Sequence, residues 1–379
     1  MKFIKKYILL IFLIENLLTQ SSVFGLSQWF FYLMLAVGAA LMLDKTIWSR
    51  QTFAECKPLY LIALVYVLYQ FTLGYDTITM RSLIYLLAKV TTFVIISVSV
   101  VSDWEFNARK VPLYLAFVVI AILLFGLNNA ENINSGERLE LGFGNTNSTS
   151  ILSAFCLSIT LFFWNPKRSV IYVLFALLAL YAMLAGGGRN AILIFGVSII
   201  VWSGFSVKKI IPAALALLLL WGAINVLQLN LAGVNRVIET INGTMGSNRE
   251  YEREAVWMMI KEKPWTGWGF EAQNVGRAAI ISEMGSHNGY LETLKFMGYP
   301  FFILFCAVLL LSVLPFIRYI KSSDMTVRFH LAVVLSHLAA AFFEGLFVGV
   351  HEFSTNIVFY SLAVLSTHNY RRKLALMWH

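Results

Sequence analysis

The sequence predicts an all-α membrane protein with about twelve transmembrane helices. Of its 379 residues, 59% are hydrophobic and only 13% are charged, whereas soluble domains carry about 25% charged residues. The apolar runs are long and uninterrupted, which is typical of helices rather than of barrel strands. Three cysteines are too few for a disulfide framework. These observations exclude an ordinary soluble enzyme, a disordered chain and a disulfide-rich scaffold.

Each predicted span is an apolar segment of roughly the 20 residues that cross a bilayer core. The spans are residues 6–20, 26–43, 58–74, 80–101, 111–127, 148–163, 169–185, 190–204, 208–228, 292–318, 327–349 and 353–367. The first follows several lysines in the manner of a signal peptide, but we interpret it as a retained helix. Since no linker or repeat divides the chain, we expect one integral membrane domain over residues 1–379.

Lysines and arginines alternate between the predicted loops as the positive-inside rule requires. They occupy every second inter-span segment from the N-terminus onward, with Lys57, Arg109, Lys208 and Arg372 among them. The pattern predicts cytoplasmic termini and places the one long hydrophilic segment, residues 229–291, outside. The net charge of +9 therefore indicates orientation rather than a nucleic-acid partner, since no basic stripe lies on a soluble module.

The basic residues elsewhere are mostly arginines, whose planar donors suit phosphate and carboxylate groups. Among them, Arg189 follows Gly186-Gly187-Gly188 and begins the predicted helix over residues 190–204. Glycines that let N–H groups approach a ligand, a helix N-terminus and an arginine together suit an anion such as phosphate. The alternative is that the triple glycine is only a tight turn.

The long outer segment has internal order. Residues 247–250 have the Ser-x-x-Glu spacing of a capping box, and Pro264 stops the run that follows, so we predict a helix over residues 248–262. Steps of i, i+4 place three candidate binding residues on one face of this helix: Arg249, Arg253 and Trp257. The alternative is that the arginines of this segment only pair with its glutamates.

Two features near the end of the outer segment are candidates for binding a sugar or for reacting with it. The aromatic turn, residues 265–270, has Trp268 at its centre and suits either stacking on sugar rings or a position at the membrane interface. His287, followed by Asn288, is the natural base for a reaction at the outer face, because histidine takes up a proton near neutral pH. A lone histidine is nevertheless more often structural.

A polar stripe recurs every seven residues along the predicted span over residues 327–349. Its members are His330, His337, Glu344 and His351. Ionisable groups at membrane depth are costly and often functional, so the stripe indicates either a proton relay, as in a transporter, or polar packing between helices. Glu15 and Lys89 are two further charged residues within predicted spans.

Four segments resemble, in order, the motifs of the O-antigen ligase and O-antigen polymerase superfamily of bacterial membrane glycosyltransferases. They are Arg138 with Gly142-Phe143-Gly144-Asn145-Thr146-Asn147, Arg189 with Asn190-Ala191-Ile192-Leu193, Arg249 with Pro264, Gly267 and Gly269, and His287 with ten residues before Gly298. The chain departs from the family where Gly188-Arg189-Asn190 replaces Ser-Arg-Gly. Arg253 also stands where the family commonly has tryptophan, so both binding and packing stay open for it.

The resemblance implies metal-independent, inverting transfer of a glycan from an undecaprenyl-diphosphate carrier, with no cofactor. Arg189 and Arg249 would stabilise the departing diphosphate, and His287 would take the proton of the acceptor hydroxyl. The candidate substrate-binding residues are Arg138, Asn145, Asn147, Arg253, Trp257, Trp268 and Asn288. The absence of an Asp-x-Asp motif from the sequence is consistent with this chemistry.

The implied setting is the outer face of the bacterial cytoplasmic membrane. The implied partners are an acceptor glycan or glycolipid and membrane lipids, with chain-length regulator and flippase proteins as further candidates. We expect a polymerase that joins lipid-linked repeat units of an O-antigen, capsule or exopolysaccharide. A ligase that transfers finished polymer to a lipid A core is the alternative, because the same motifs serve both. A transporter of lipid-linked glycans is more distant, since it would concentrate ionisable residues near the midplane.

Overall fold

The computed structural model is helical, as the sequence predicts. It describes residues 2–23, 28–44, 49–128, 137–165, 167, 169–212, 215, 231–241, 249–270, 287–350 and 352–377. No β-strand occurs in these ranges, where a single isolated bridge joins Ser21 to Phe143. The all-α class is therefore confirmed.

The helices of the first half follow the predicted spans closely, apart from one short helix, Arg50–Glu55, which lies between two of them. They are α1 (Lys2–Thr19), α2 (Gln28–Met42), α3 (Arg50–Glu55), α4 (Lys57–Phe71), α5 (Met80–Ser102), α6 (Val111–Asn128) and α7 (Thr146–Phe162). A π-helical turn over Phe106–Lys110 leads directly into α6. Pro58 lies in the first turn of α4, where the missing N–H group costs nothing.

The second half adds seven helices in the described ranges. They are α8 (Ser169–Gly186), α9 (Arg189–Ser203), α10 (Ala232–Ile241), α11 (Arg249–Glu262), α12 (Gly289–Val313), α13 (Met325–Ala340) and α14 (Phe353–Met377). The helix predicted over residues 248–262 is confirmed as α11, although residues 247 and 248 of the predicted capping box lie outside the described residues.

Four helical segments of the described residues are long and apolar enough to cross a membrane. They are Met80–Ser102, Phe106–Asn128, Ser169–Gly186 and Gly289–Lys321, and shorter apolar helices accompany them. The chain is therefore a membrane protein. The count of twelve spans stays a prediction, and the span predicted over residues 208–228 lies largely outside the described residues.

The span predicted over residues 327–349 is wrong in its second half. The helix α13 ends at Ala340, and residues 341–350 form turns instead, here named the α13–α14 segment. Gly345 and Gly349 lower the helix propensity of this stretch, since glycine costs about 1 kcal/mol in a helix interior relative to alanine.

Polar groups of α5 hold the α13–α14 segment. The buried Lys89 Nζ donates to Phe347 O at 2.9 Å and to Gly349 O at 2.7 Å. The Tyr85 hydroxyl donates to Val348 O at 2.6 Å. These bonds take the place of the backbone hydrogen bonds that a longer α13 would form. The two carbonyl oxygens also satisfy the donors of the buried Lys89 ammonium group.

Two histidines of the predicted stripe are satisfied within the core. His330 Nδ1 lies 3.1 Å from Ser361 Oγ, and its Nε2 lies 2.9 Å from Ala108 O. His337 Nδ1 lies 2.9 Å from Val333 O, one helical turn earlier. Both side chains are buried, so their bonding supports the interpretation of polar packing.

The other two members do not continue the stripe. Glu344 lies beyond the end of α13, and His351 lies outside the described residues. The prediction of one helical face bearing all four residues is therefore wrong, because the helix ends before its third member. The buried Glu15, also singled out in the sequence, accepts a hydrogen bond from Asn16 Nδ2 at 2.9 Å.

Candidate functional site

The α8–α9 turn, residues 186–188, packs directly against the N-terminal end of α7. A Cβ atom at Gly186 would lie 2.4 Å from Ser150 Oγ, and one at Gly188 would lie 2.7 Å from Ser150 Cβ. Gly187 has φ +66°, which favours glycine. The Gly188 N–H donates to Ser150 Oγ at 2.9 Å. The glycines are thus required for close packing, and this N–H already has a protein partner.

Two arginines bind the carbonyl side of the α8–α9 turn. Arg138 Nε donates to Gly186 O at 3.0 Å, and Arg236 Nη1 donates to Gly187 O at 3.3 Å. Arg138 also donates through Nη2 to Asn147 Oδ1. The turn therefore gathers guanidinium groups beside its own carbonyl oxygens, while Arg189 follows as the first residue of α9.

Asn145 and Asn147 organise the start of α7 and the arginine next to it. Asn145 is the N-cap of α7, and its Oδ1 accepts the Asn147 N–H at 2.7 Å. Asn147 in turn holds the guanidinium of Arg138. A cleft of about 460 Å³ borders Arg138, with Glu140 and Gly142 among its other lining residues. The segment predicted to bind substrate thus lies beside an open space.

Asn190 joins the start of α9 to the α13–α14 segment. Its Nδ2 donates to Glu344 Oε1 at 2.6 Å and to Phe343 O at 3.3 Å. The half-buried Arg189 immediately precedes it. The N-terminus of α9 and Glu344 are therefore held together by direct hydrogen bonds.

His287 lies between two carboxylates. Its Nδ1 is 3.7 Å from Glu344 Oε2, and its Nε2 is 3.8 Å from Glu252 Oε2 of α11. The imidazole is 39% exposed, whereas the Glu252 and Glu344 side chains are 16% and 13% exposed. Both separations are longer than a hydrogen bond, so each is an electrostatic contact between the ring and a carboxylate. His287 is thus open to a ligand while both carboxylates are largely covered.

The backbone at His287 is strained and firmly anchored. Its φ of +46° is in the left-handed region, which residues with a side chain rarely adopt outside functional or tightly constrained positions. Asn288 is the N-cap of α12, and its Oδ1 accepts the N–H groups of Tyr290 and Leu291, each at 3.0 Å. Asn288 thus caps α12, and its role in substrate binding stays a prediction.

The helix α11 presents groups whose hydrogen-bonding capacity is not used by the described residues. Buried atoms without a partner in that part of the chain include Glu252 Oε2 and Arg253 Nε. Trp257 is exposed on the same helix. Arg249 begins α11, and its side chain lies outside the described residues.

The aromatic turn docks on a break in α12. The backbone N–H of Trp268 donates to Lys295 O at 2.9 Å, and the backbone N–H of Gly269 donates to Phe296 O at 3.0 Å. Gly298 has φ +66° inside α12, and a Cβ atom there would lie 2.5 Å from Trp265 O. The Pro-x-x-Gly-x-Gly motif and the glycine of the His-x10-Gly motif therefore meet in space, backbone against backbone.

Packing also accounts for Trp268. Its Nε1 donates to Met259 O at 2.8 Å, and Lys263 Nζ lies 4.3 Å from the ring centroid. The aromatic residue of this turn with the most accessible side chain is Trp265, which is 67% exposed. The role of Trp268 in sugar stacking stays a prediction that these contacts do not favour.

A family model described as O-antigen ligase matches residues 173–306. The matched region runs from α8 into α12 and contains Arg189, Arg249 and His287, whereas Arg138 precedes it. This match supports the assignment to the O-antigen ligase and O-antigen polymerase superfamily that the motifs predict. Among curated proteins, none matches the chain.

Sequence reasoning missed three contributors to this site. Glu252 precedes Arg253, Asn190 was named only as part of the Arg189 motif, and Ser150 lies near the start of α7. The one sequence signal for Asn190 and Glu252 was that each lies next to a candidate arginine. Within the described ranges, no group of three or more His, Cys, Asp and Glu residues is arranged to hold a metal ion. Metal independence stays a prediction.

Proposed function

We propose that this protein is a membrane glycosyltransferase that transfers a glycan from an undecaprenyl-diphosphate carrier. The observation that carries the proposal is the link from Asn190 through Glu344 to His287. It joins the arginine-bearing start of α9 to the candidate base, although the two motifs are far apart in the chain. A transferase needs both functions side by side, one for the departing anion and one for the acceptor hydroxyl.

Positive charge is concentrated where a diphosphate would leave. Arg138 and Arg236 bind the α8–α9 turn, and Arg189 begins the helix that follows. The N-terminus of α9 adds a partial positive charge of its own. Guanidinium groups beside hydrocarbon bind phosphate oxygens strongly because the dielectric constant is low there. Arg249, at the first position of α11, is a further ligand in this proposal.

The reaction is a single displacement. The acceptor hydroxyl oxygen attacks the anomeric carbon as the bond from that carbon to the diphosphate oxygen breaks, and the configuration inverts. His287 takes the hydroxyl proton, while the arginines stabilise the negative charge that develops on the diphosphate. The open position of His287 supports this role, because the acceptor must reach its ring.

The first assignment within this class is a polymerase of lipid-linked repeat units, and the second is a ligase that acts on a lipid A core. The family description names the ligase, whereas the site residues serve either acceptor. A transporter relay is disfavoured, because His330 and His337 bond to core groups and Glu344 lies off the helix.

The proposed location is the bacterial inner membrane, with the site on its outer face and both termini in the cytoplasm. The distribution of lysines and arginines supports this orientation. In this proposal the whole chain, residues 1–379, is one membrane domain, and residues 229–291 form its outer loop. An acceptor glycan or glycolipid and membrane lipids are the proposed partners, together with chain-length regulator and flippase proteins.

The test uses purified protein in proteoliposomes with an undecaprenyl-diphosphate-linked oligosaccharide. Two acceptors are offered separately, a second lipid-linked unit and a lipid A core, and a chelator is present throughout. We expect transfer to one acceptor, and we expect Arg189→Ala, Arg249→Ala and His287→Ala each to lower its rate at least about 100-fold.

The matched control is Arg109→Ala. Arg109 lies in the π-helical turn before α6, is exposed, and pairs with Glu105 rather than with any residue of the site, so this variant should transfer at the wild-type rate. Full activity of all three site variants, or a strict requirement for a divalent ion, would contradict the mechanism.

A further inference from the structure

Two carboxylates flank His287, but the described contacts fix only one of them. Glu344 Oε1 is held by Asn190 Nδ2 at 2.6 Å, which leaves Oε2 directed at His287 Nδ1, 3.7 Å away. Glu252 Oε2, on the opposite side of the ring, is buried and has no hydrogen-bond partner in the described part of the chain. The two carboxylates are therefore at nearly the same distance from the imidazole, but only Glu344 is held by a hydrogen bond in the described part of the chain.

The backbone of Glu344 is also hydrogen-bonded to the segment that contains His287. The Gly289 N–H donates to both Ala341 O and Glu344 O at 2.8 Å. A Cβ atom at Gly289 would lie 2.2 Å from Leu346 O, so the two backbones are in direct contact. The side chain and the main chain of Glu344 thus both face the short segment 287–289.

The support extends to the buried charge of α5. Lys89 binds Phe347 O and Gly349 O, three and five residues after Glu344. A buried ammonium group is tolerated only when its donors are satisfied, so Lys89 and the α13–α14 segment constrain each other. The backbone near Glu344 is therefore held in place by hydrogen bonds, although Glu344 lies outside any helix.

We infer that Glu344 is the positioning residue of His287: its carboxylate, held by Asn190, faces the Nδ1 side of the imidazole, so that Nε2 is the nitrogen that takes the acceptor proton. The inference rests on the proposed function for the identity of the reaction. A carboxylate on one ring nitrogen selects the tautomer whose other nitrogen is a proton acceptor, and it stabilises the imidazolium that forms.

Charged groups on the neighbouring elements are Glu252 on α11, Arg189 on α9, the buried Glu292–Lys295 ion pair of α12 at 2.5 Å, and Glu352 before α14. Burial raises the pKa of the Glu352 carboxyl, and Glu344 raises it further. Because these groups are retained in Glu344→Gln, a change in that variant reports the loss of the Glu344 charge.

The first measurement does not depend on transfer. His287 in the detergent-solubilised full chain is carbethoxylated with diethyl pyrocarbonate over a range of pH, and the extent is read by peptide mass spectrometry. We expect the pH midpoint of modification to fall by about one unit in Glu344→Gln, because a carboxylate beside the ring favours its protonated form. Asn190→Ala should shift it in the same direction by less, and Glu105→Gln, the matched control on an exposed residue, should leave it unchanged.

The second measurement is transfer itself. In Glu344→Gln we expect kcat to fall about 10- to 100-fold with KM for the lipid-linked donor within about twofold of wild type. The pH–rate profile should shift with the modification midpoint, and Glu344→Asp should restore part of kcat. A structural role alone would lower the yield of folded protein without moving either pH profile.

The two outcomes separate the inference from the proposed function. An unchanged modification midpoint in both Glu344→Gln and Asn190→Ala overturns the role of Glu344, even if wild-type protein transfers glycan. A shifted midpoint in a protein that transfers no glycan supports the pairing of Glu344 with His287 and contradicts the glycosyltransferase. If Glu344→Gln does not fold, as judged by size-exclusion chromatography, Asn190→Ala and Glu344→Asp decide the matter by the same midpoint.

Discussion

Two turns of this protein both contain closely spaced glycines and differ in the groups that surround them. In the α8–α9 turn, residues 186–188, arginine side chains bind the carbonyl oxygens, and Arg189 follows at a helix N-terminus. In the aromatic turn, residues 265–270, backbone N–H groups bind the carbonyl oxygens of α12 at its break. The first turn concentrates positive charge, and the second joins two segments of backbone.

A glycine motif indicates a close approach without indicating which group approaches. Glycine permits a close approach, but the approaching group is either a ligand or another part of the chain. At Gly267 a Cβ atom would lie 2.3 Å from Phe296 O, so the neighbour is the protein itself. At the α8–α9 turn the glycines contact α7, and the adjacent arginines, rather than the glycines, are the groups suited to an anion.

The largest effect on the rate of transfer should come from a change beside the α8–α9 turn. Arg189→Lys keeps the charge but removes the planar donors, so we expect the rate of glycan transfer to fall about 10-fold or more. Thermal denaturation in detergent should be unchanged. Arg109→Lys is the matched control and should transfer at the wild-type rate. Equal rates for both variants would contradict a role of the α8–α9 turn in binding an anion.

A stability effect should come from the docking of the aromatic turn. Gly298→Ala places a side chain at φ +66° and 2.5 Å from Trp265 O, so we expect a loss of about 1–3 kcal/mol, seen as a lower midpoint of thermal denaturation. Gly196→Ala in α9 is the matched control, because its Cβ meets nothing within 4 Å. If both variants melt alike, the docking contact does not contribute to stability.

The smallest effect should come from Trp268. Trp268→Phe keeps the ring near Lys263 and removes the hydrogen bond to Met259 O, which is worth about 1 kcal/mol. We expect initial rates of transfer within about threefold of wild type at all acceptor concentrations. A large rise in KM for the acceptor would instead assign Trp268 to sugar stacking and give the aromatic turn a direct role.

Much of the fold was predictable because its signals are local. The apolar runs specify helices, and Pro264 correctly ends the run that forms α11. The prediction failed after Ala340, where hydropathy still favoured a helix. The bonds from Lys89 and Tyr85 decide that stretch, and neither residue is close to it in sequence.

The candidate site was predictable only in part. The motif spacing named Arg138, Arg189, Arg249 and His287 as candidates, and it grouped Glu344 with His330 and His337 on one helix. The structure places Glu344 beside His287 and Asn190 instead. A seven-residue period predicts one face only while the helix continues, and α13 does not continue to residue 344.

By itself, the sequence determined the class of this protein: a helical membrane chain, with its arginines concentrated in a few motif segments. Hydropathy, charge and turn propensity are properties of neighbouring residues, so they can be evaluated along the chain. Only the tertiary structure decided that Glu344 faces His287, that Asn190 holds Glu344, and that the aromatic turn docks on Gly298. Those contacts join distant segments, and packing geometry, which no local pattern encodes, brings them together.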